Sequence, residues 1–98
     1  MLFHLMRIQG YSLYPKYKEG DFVMISKIPL LLHAPRPGDV VVFRHPTKGE
    51  LIKMVDHLED AGKALYVVGL TTDSFDSRSF GPISRRALLG KVIFHIAR

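Results

Sequence analysis

The stretch Gly38-Asp39-Val40-Val41-Val42-Phe43 is a Gly-Asp turn followed by a run of β-branched and aromatic residues. Such residues favour strands, whereas Gly and Asp favour turns. The same arrangement lies upstream, where Gly20-Asp21 precedes Phe22-Val23-Met24-Ile25. The two units are too short to define an internal repeat, but each predicts a strand opened by a turn.

Similar apolar runs continue on both sides of this stretch. Further strands are expected at residues 2–9, 51–55, 65–68 and 91–96. Short strands separated by turns every 8–12 residues, roughly, are typical of an all-β domain. The sequence therefore predicts an all-β fold, mainly β with one short helix, that forms a barrel or a folded sheet.

The connecting segments carry weaker signals. Residues 28–37 contain three prolines and predict a loop or a sheet edge, and residues 71–82 are polar and turn-like. Ser84 is a candidate cap for the one short helix, expected from Arg85 to Leu89 and stopped by Gly90.

Composition restricts the classes of function. The 98 residues predict one domain, 1–98, and the absence of cysteine excludes disulfides, thiolate metal sites and a cysteine nucleophile. The net charge is +5, but the basic residues are dispersed and Arg85-Arg86 is the only adjacent pair, so nucleic acid is not expected as a partner. No apolar run approaches the ~18–20 residues that span a bilayer, and no signal peptide is visible. We expect a soluble, cytoplasmic chain without a cofactor or metal.

A candidate nucleophile lies in the turn Gly10-Tyr11-Ser12-Leu13-Tyr14-Pro15. A serine in such a turn is usually a turn residue, and its hydroxyl attacks a carbonyl only when a base removes the proton. The usual base is histidine, but the five histidines are isolated from one another and lack metal-binding spacing: His4, His33, His45, His57 and His95.

Lysine is the other candidate base. Alternation along residues 51–55 places Lys53 on one face with Leu51 and Val55, both apolar. Burial among apolar groups lowers the pKa of a lysine towards the range in which its amine is neutral at physiological pH. The alternative is a lysine whose stem lies on an edge strand and whose ammonium reaches solvent.

A polar cluster follows at Asp73-Ser74-Phe75-Asp76-Ser77-Arg78. Asp76 and Arg78 could form an ion pair across a tight turn, and Ser74 could orient an amine. The alternative is a solvated loop.

The order of these motifs resembles the type I signal peptidase family, serine–lysine proteases whose β-fold is shared with LexA-type repressors. No single motif is specific, but the ordered set covers residues 10–92. It comprises Gly10-x-Ser12-Leu13-x-Pro15, Gly20-Asp21, Gly38-Asp39-Val40-Val41-Val42-Phe43-x-x-Pro46, Ile52-Lys53-x-Val55, Ser74-x-Asp76-Ser77-Arg78-x-Phe80-Gly81-Pro82-Ile83 and Gly90-Lys91-Val92.

The resemblance implies a role for each matching residue. Ser12 would attack the scissile carbonyl, and Lys53 would act as general base and then protonate the leaving amine. Ser74 would orient the lysine, and Asp76 with Arg78 would form a structural ion pair. The Ser12 amide would be one oxyanion-hole donor, and Gly10 stands where the family often has a second.

The sequence departs from the family pattern at three places. Leu13 replaces a methionine, Met54 replaces an arginine, and Gly69-Leu70-Thr71 replaces Gly-Asp-Asn. The first change conserves volume, and none touches the proposed Ser12–Lys53 pair. The departures indicate either altered substrate recognition or a divergent branch of the family.

The compact form, without membrane helices or an inserted β-domain, resembles the small branch named nickel-type superoxide dismutase maturation proteases. That likeness implies a precursor or leader peptide as the substrate. One alternative is a membrane-surface signal peptidase that makes peripheral membrane contact through Leu30, Leu31 and Leu32. Without such a partner, we expect these three leucines to pack in the core. The other is a non-enzymatic LexA-type dimerisation domain.

Overall fold

Seven strands form one antiparallel sheet in the computed structural model, which describes residues 2–98. The strands are β1 (Phe3–Arg7), β2 (Phe22–Ser26), β3 (Val40–His45), β4 (Gly49–Glu59), β5 (Ala64–Val68), β6 (Ile83–Ser84) and β7 (Leu88–Ile96). Their order across the sheet is β1-β2-β7-β3-β4-β5-β6. Two short helices, α1 (Ile28–Leu32) and α2 (Ser77–Phe80), complete the fold. The all-β prediction is confirmed, with two helices where one was expected.

Strand β3 is buried on both faces, which explains its uninterrupted apolar sequence. Val40 and Val42 belong to one core cluster with Ile52, whereas Val41 and Phe43 belong to a second cluster with Val55. Successive side chains of a strand point to opposite faces, so β3 contributes to both clusters. The Val40–Phe43 run therefore lies between the two halves of the core.

The two helices correct the sequence prediction. Residues 28–37 were expected to form a loop or edge, but α1 begins there with Pro29 in its first turn. Proline is tolerated at that place because the missing amide would have no intrahelical partner. The turn-like segment 71–82 contains α2, whose preceding residue Asp76 accepts a hydrogen bond from the Arg78 amide at 3.0 Å.

The helix expected from Arg85 to Leu89 is a single 3-10 turn over Arg85–Ala87. Ser84 does cap it, since its hydroxyl accepts from the Arg86 amide at 3.2 Å. Gly90 does not stop a helix but lies inside β7, where an added Cβ would be 3.3 Å from the Ser26 carbonyl oxygen. The close approach of β2 and β7 explains this glycine.

Only part of the leucine run of α1 packs in the core. Leu30 contacts the second cluster, whereas Leu31 and Leu32 are 76% and 73% exposed. The prediction of packing therefore holds for one leucine of three. Across residues 2–98, no helix has the length and apolar character required to cross a membrane.

Candidate active site

Strands β1 and β4 line a common cleft although three strands lie between them in the sheet order. The cleft has a volume of about 430 Å³, and both Ser12 and Lys53 lie in its wall. The sheet must therefore curve strongly to bring its first and fifth strands together. This curvature places the candidate nucleophile and the candidate base in one cavity.

The strands on both sides of the cleft have unpaired edges. Among the described residues β1 pairs with β2 alone, so its other edge is free. The first part of β4, from Gly49 to Lys53, pairs with β3 alone, because the pairing with β5 begins at Met54. Free main-chain donors and acceptors therefore face the cleft from two sides.

Ser12 lies in the segment that connects β1 to β2, which we call the nucleophile loop (residues 8–21). Its neighbour Leu13 is buried in the first core cluster, and the Ser12 carbonyl accepts from the Leu70 amide at 2.5 Å. The Ser12 amide has no hydrogen-bond partner within residues 2–98. The backbone around Ser12 is therefore fixed, while its own N–H remains available.

Lys53 is buried, with 4% of its surface exposed. Its Nζ donates to Ser74 Oγ at 3.0 Å. Burial lowers the pKa of Lys53 below its ordinary value of 10.5; the nearby Asp76 charge opposes this shift, and Arg78 adds to it. The alternative of a lysine that reaches solvent from an edge strand does not describe this side chain.

Asp76 and Arg78 lie directly behind Ser74. The Arg78 guanidinium donates to both Asp76 carboxylate oxygens, with Nη2 to Oδ2 at 2.6 Å and Nε to Oδ1 at 3.0 Å. Burial alone would raise the pKa of the fully buried Asp76, but hydrogen bonds from Arg78 and the Gly69 amide hold that pKa well below its usual range. The Asp76 carboxylate thus connects the segment that carries Ser74 (residues 71–76) to Gly69, the residue after β5.

Sequence reasoning missed the importance of Gly69, which it treated only as part of a departure from the family pattern. A Cβ at this position would lie 2.7 Å from the Ser12 carbonyl oxygen and would also collide with the Ser74 hydroxyl. Gly69 therefore marks the place where the nucleophile loop and the Ser74 segment meet. The sequence does contain a signal for this contact. Gly69 directly follows the apolar run 65–68 where no turn sequence requires a glycine, and an isolated glycine at a strand indicates close approach of another backbone.

We expect Gly69→Ala to destabilise the fold by about 1–3 kcal/mol, as overpacking generally does. Urea unfolding measures this effect. Gly62→Ala is the matched control, because its Cβ meets nothing within 4 Å and its φ of +86° gives it only a backbone cost. A Gly69→Ala protein as stable as wild type would contradict the proposed contact.

Gly10 has a different environment from the one expected of an oxyanion donor. Its amide donates to Glu19 Oε2 at 3.0 Å, and Glu19 Oε1 accepts from the Tyr11 hydroxyl at 3.3 Å. A Gly10 contribution to an oxyanion hole would require Glu19 to move. In the part of the chain that the structure describes, no group of three or more His, Asp or Glu side chains could hold a metal ion.

A serine and a buried lysine in one cleft of a curved β-sheet define a class of serine hydrolase candidates. The family model described as signal peptidase, peptidase S26, matches residues 1–58, which include both Ser12 and Lys53. Because this match covers more than half of the chain, the protein belongs to the signal peptidase family. Searches of curated proteins and of solved structures each found no significant match.

Proposed function

We propose that the protein is a serine endopeptidase in which Ser12 is the nucleophile and Lys53 the general base. The observation that carries the proposal is the environment of Lys53, an amine buried on an apolar face, held by one hydroxyl and lining the same cleft as Ser12. A neutral amine has a lone pair that can accept the serine proton, whereas an ammonium has none.

The reaction follows from these groups. Lys53 removes the proton from Ser12 Oγ as the oxygen attacks the scissile carbonyl, and the free Ser12 amide donates to the developing oxyanion. Lys53 then gives the proton to the leaving amine, and water hydrolyses the acyl-enzyme by the same base. Ser74 holds the lysine side chain in place through its hydroxyl.

The free edges of β1 and β4 favour an extended peptide as the substrate. A peptide in the cleft can add as a strand, because unpaired main-chain groups recognise a backbone without regard to its side chains. The scissile bond would then pass Ser12 and Lys53. A flexible leader of a precursor protein has the conformation that such a cleft requires.

We propose nickel-type superoxide dismutase precursor as the substrate and the cytoplasm as the location, on the likeness of the sequence to that branch. The test is mass spectrometry of this precursor after incubation with wild-type protein and with Lys53→Met. The expected result is a single leader-release product from wild type alone. If the precursor stays intact, this substrate is wrong, and cleavage of other unstructured peptides then decides whether the protein is an endopeptidase at all.

A second candidate function is a signal peptidase that acts at a membrane surface. The exposed Leu31 and Leu32 favour it, because Lys27, Arg85 and Arg86 line the adjoining pocket and would attract anionic lipid. Co-sedimentation with anionic vesicles at low salt tests it, with Leu31→Ser/Leu32→Ser as the control. Absence of vesicle binding by the wild-type chain rules this function out.

The remaining alternative is a non-enzymatic LexA-type dimerisation domain. A protein that dimerises tightly and cleaves no peptide would support it.

The proposed base predicts a pH dependence of both activity and stability. Cleavage should increase with pH as Lys53 loses its proton, with a midpoint below 10.5.

The same group affects stability. Because the pKa of Lys53 is lower in the folded state than in the unfolded state, protonated Lys53 opposes folding, and this loss of stability disappears as pH rises towards 10.5. Lys53→Met should therefore be more stable than wild type at low pH, by a margin that narrows as pH rises. Urea unfolding across this range measures the margin, and a pH-independent margin would contradict a titrating Lys53.

A further inference from the structure

The nucleophile loop is anchored at its C-terminal end by a buried carboxylate. Asp21, at the end of this loop, is 2% exposed. Its side chain accepts from the Lys18 amide at 3.0 Å, from His95 Nε2 at 2.8 Å and from the Arg98 amide at 3.1 Å. One of these donors belongs to the loop itself, and the other two come from the end of β7 and the residues after it, more than 70 positions away in sequence.

The backbone of Asp21 also closes the loop. The Ile8 amide donates to the Asp21 carbonyl at 2.8 Å, and the Gly20 amide donates to the Ile8 carbonyl at 2.9 Å. These bonds join the two ends of the segment that carries Ser12. The pKa of Asp21 is lowered to about 2, first by the Lys18 amide and then by His95, so its carboxylate remains charged at neutral pH.

His95 contacts the loop at a second point. Its ring packs on Tyr17 with centroids 4.4 Å apart, and Tyr17 is buried in the first core cluster beside Leu13. The Tyr17 amide in turn donates to the Leu13 carbonyl at 2.9 Å. A continuous series of contacts thus runs from His95 through Tyr17 to the residue that follows Ser12.

We propose that Asp21 and His95 are positioning residues for Ser12, and that the end of β7 sets the geometry of the nucleophile. This inference rests on the proposed function, since it takes Ser12 as the nucleophile. Neither residue lies in the wall of the cleft, so neither touches the substrate. A displacement of about 1 Å at a reacting group can cost a hundredfold in rate, so residues outside the cleft that position Ser12 have a kinetic effect.

The test compares His95→Leu, His95→Gln and Asp21→Asn with wild type. We expect His95→Leu and Asp21→Asn to lower kcat about 10- to 100-fold with KM unchanged within about threefold. The pH midpoint of cleavage should not move, because Lys53 and its partners are untouched. His95→Gln should recover most of kcat, since its amide can still donate to Asp21.

His57→Leu is the matched control. His57 also bonds to carboxylates, those of Asp56 and Glu59, but it lies exposed on β4 outside the nucleophile loop. The kcat of His57→Leu should equal that of wild type. A wild-type kcat in His95→Leu, or no recovery in His95→Gln, would overturn the proposal, as would a loss of kcat that merely follows the unfolded fraction in a thermal melt.

Amide hydrogen exchange separates this inference from the proposed function, because it requires no cleavage. The Tyr14 and Tyr17 amides bond within the nucleophile loop, whereas the Gly69 amide bonds to Asp76. In His95→Leu we expect exchange at the two tyrosine amides to accelerate at least tenfold, with the Gly69 amide unchanged. Unchanged tyrosine amides would refute the anchoring even if the protein proves to be a peptidase.

Discussion

Ser12→Ala and Lys53→Met should each lower the kcat of the proposed peptidase at least about 1,000-fold, because its proposed nucleophile and base act as one unit and the loss of either removes most of the chemical step. Both proteins should remain folded. Ser12 is only partly buried, and methionine has nearly the volume of lysine without the cost of a buried amine.

Cleavage of a peptide substrate and circular dichroism provide the two measurements. The double variant should be no slower than either single variant, since independent contributions would instead multiply. Lys48→Met is the matched control, because Lys48 lies exposed over the Phe75 ring and has no place in the cleft. Retention of full cleavage by either single variant would eliminate the proposed pair.

Arg78→Met should produce the largest loss of stability, about 3–5 kcal/mol, because it leaves the fully buried Asp76 carboxylate without its cation. Arg44→Met is the matched control. Its partner Glu50 is exposed, with side-chain exposures of 66% and 45% for the pair, so its removal should cost about 0–1 kcal/mol. Urea unfolding at pH 7 compares the two variants.

The difference between Arg78→Met and wild type should narrow in acid. The folded-state pKa of Asp76 lies below its ordinary value of 3.8, so its stabilising contribution is full above that pH and is lost as pH falls towards the lowered pKa. The variant loses the part of this depression that the guanidinium causes, whereas the hydrogen bond from the Gly69 amide remains. The pKa of Asp76 is therefore higher in the variant, and protonation relieves the buried charge. A gap that persists unchanged at pH 3 would contradict this origin of the effect.

The sequence predicted most of the sheet because β-branched runs and turns are local signals. It failed at α1 and α2, which are five and four residues long, because little more than one turn is too short to show the repeated apolar spacing of a helix. Prolines in the first case and polar residues in the second resemble a loop, and only packing against the sheet selects a helical turn.

The site was predictable only in part. Alternation along β4 placed Lys53 among apolar residues, and the structure buries it. The Lys53–Ser74 bond joins residues 21 positions apart, and the His95–Asp21 bond joins residues 74 apart. The Lys53–Ser74 contact was expected from the family resemblance alone, because such distant contacts depend on the curvature of the sheet, which no local pattern encodes. The contact of Gly69 with Ser12 was missed for the same reason.

If substrates pair with the unpaired edges of β1 and β4, as proposed, these edges restrict which parts of other proteins can enter the cleft. A segment within a folded protein already has its main-chain hydrogen bonds satisfied and cannot exchange them for those of the cleft without unfolding. A disordered tail has no such barrier. Once the main chain of a protein has folded, it can no longer pair with these edges, so the proposed peptidase would discriminate immature from mature chains by their state of folding as well as by sequence.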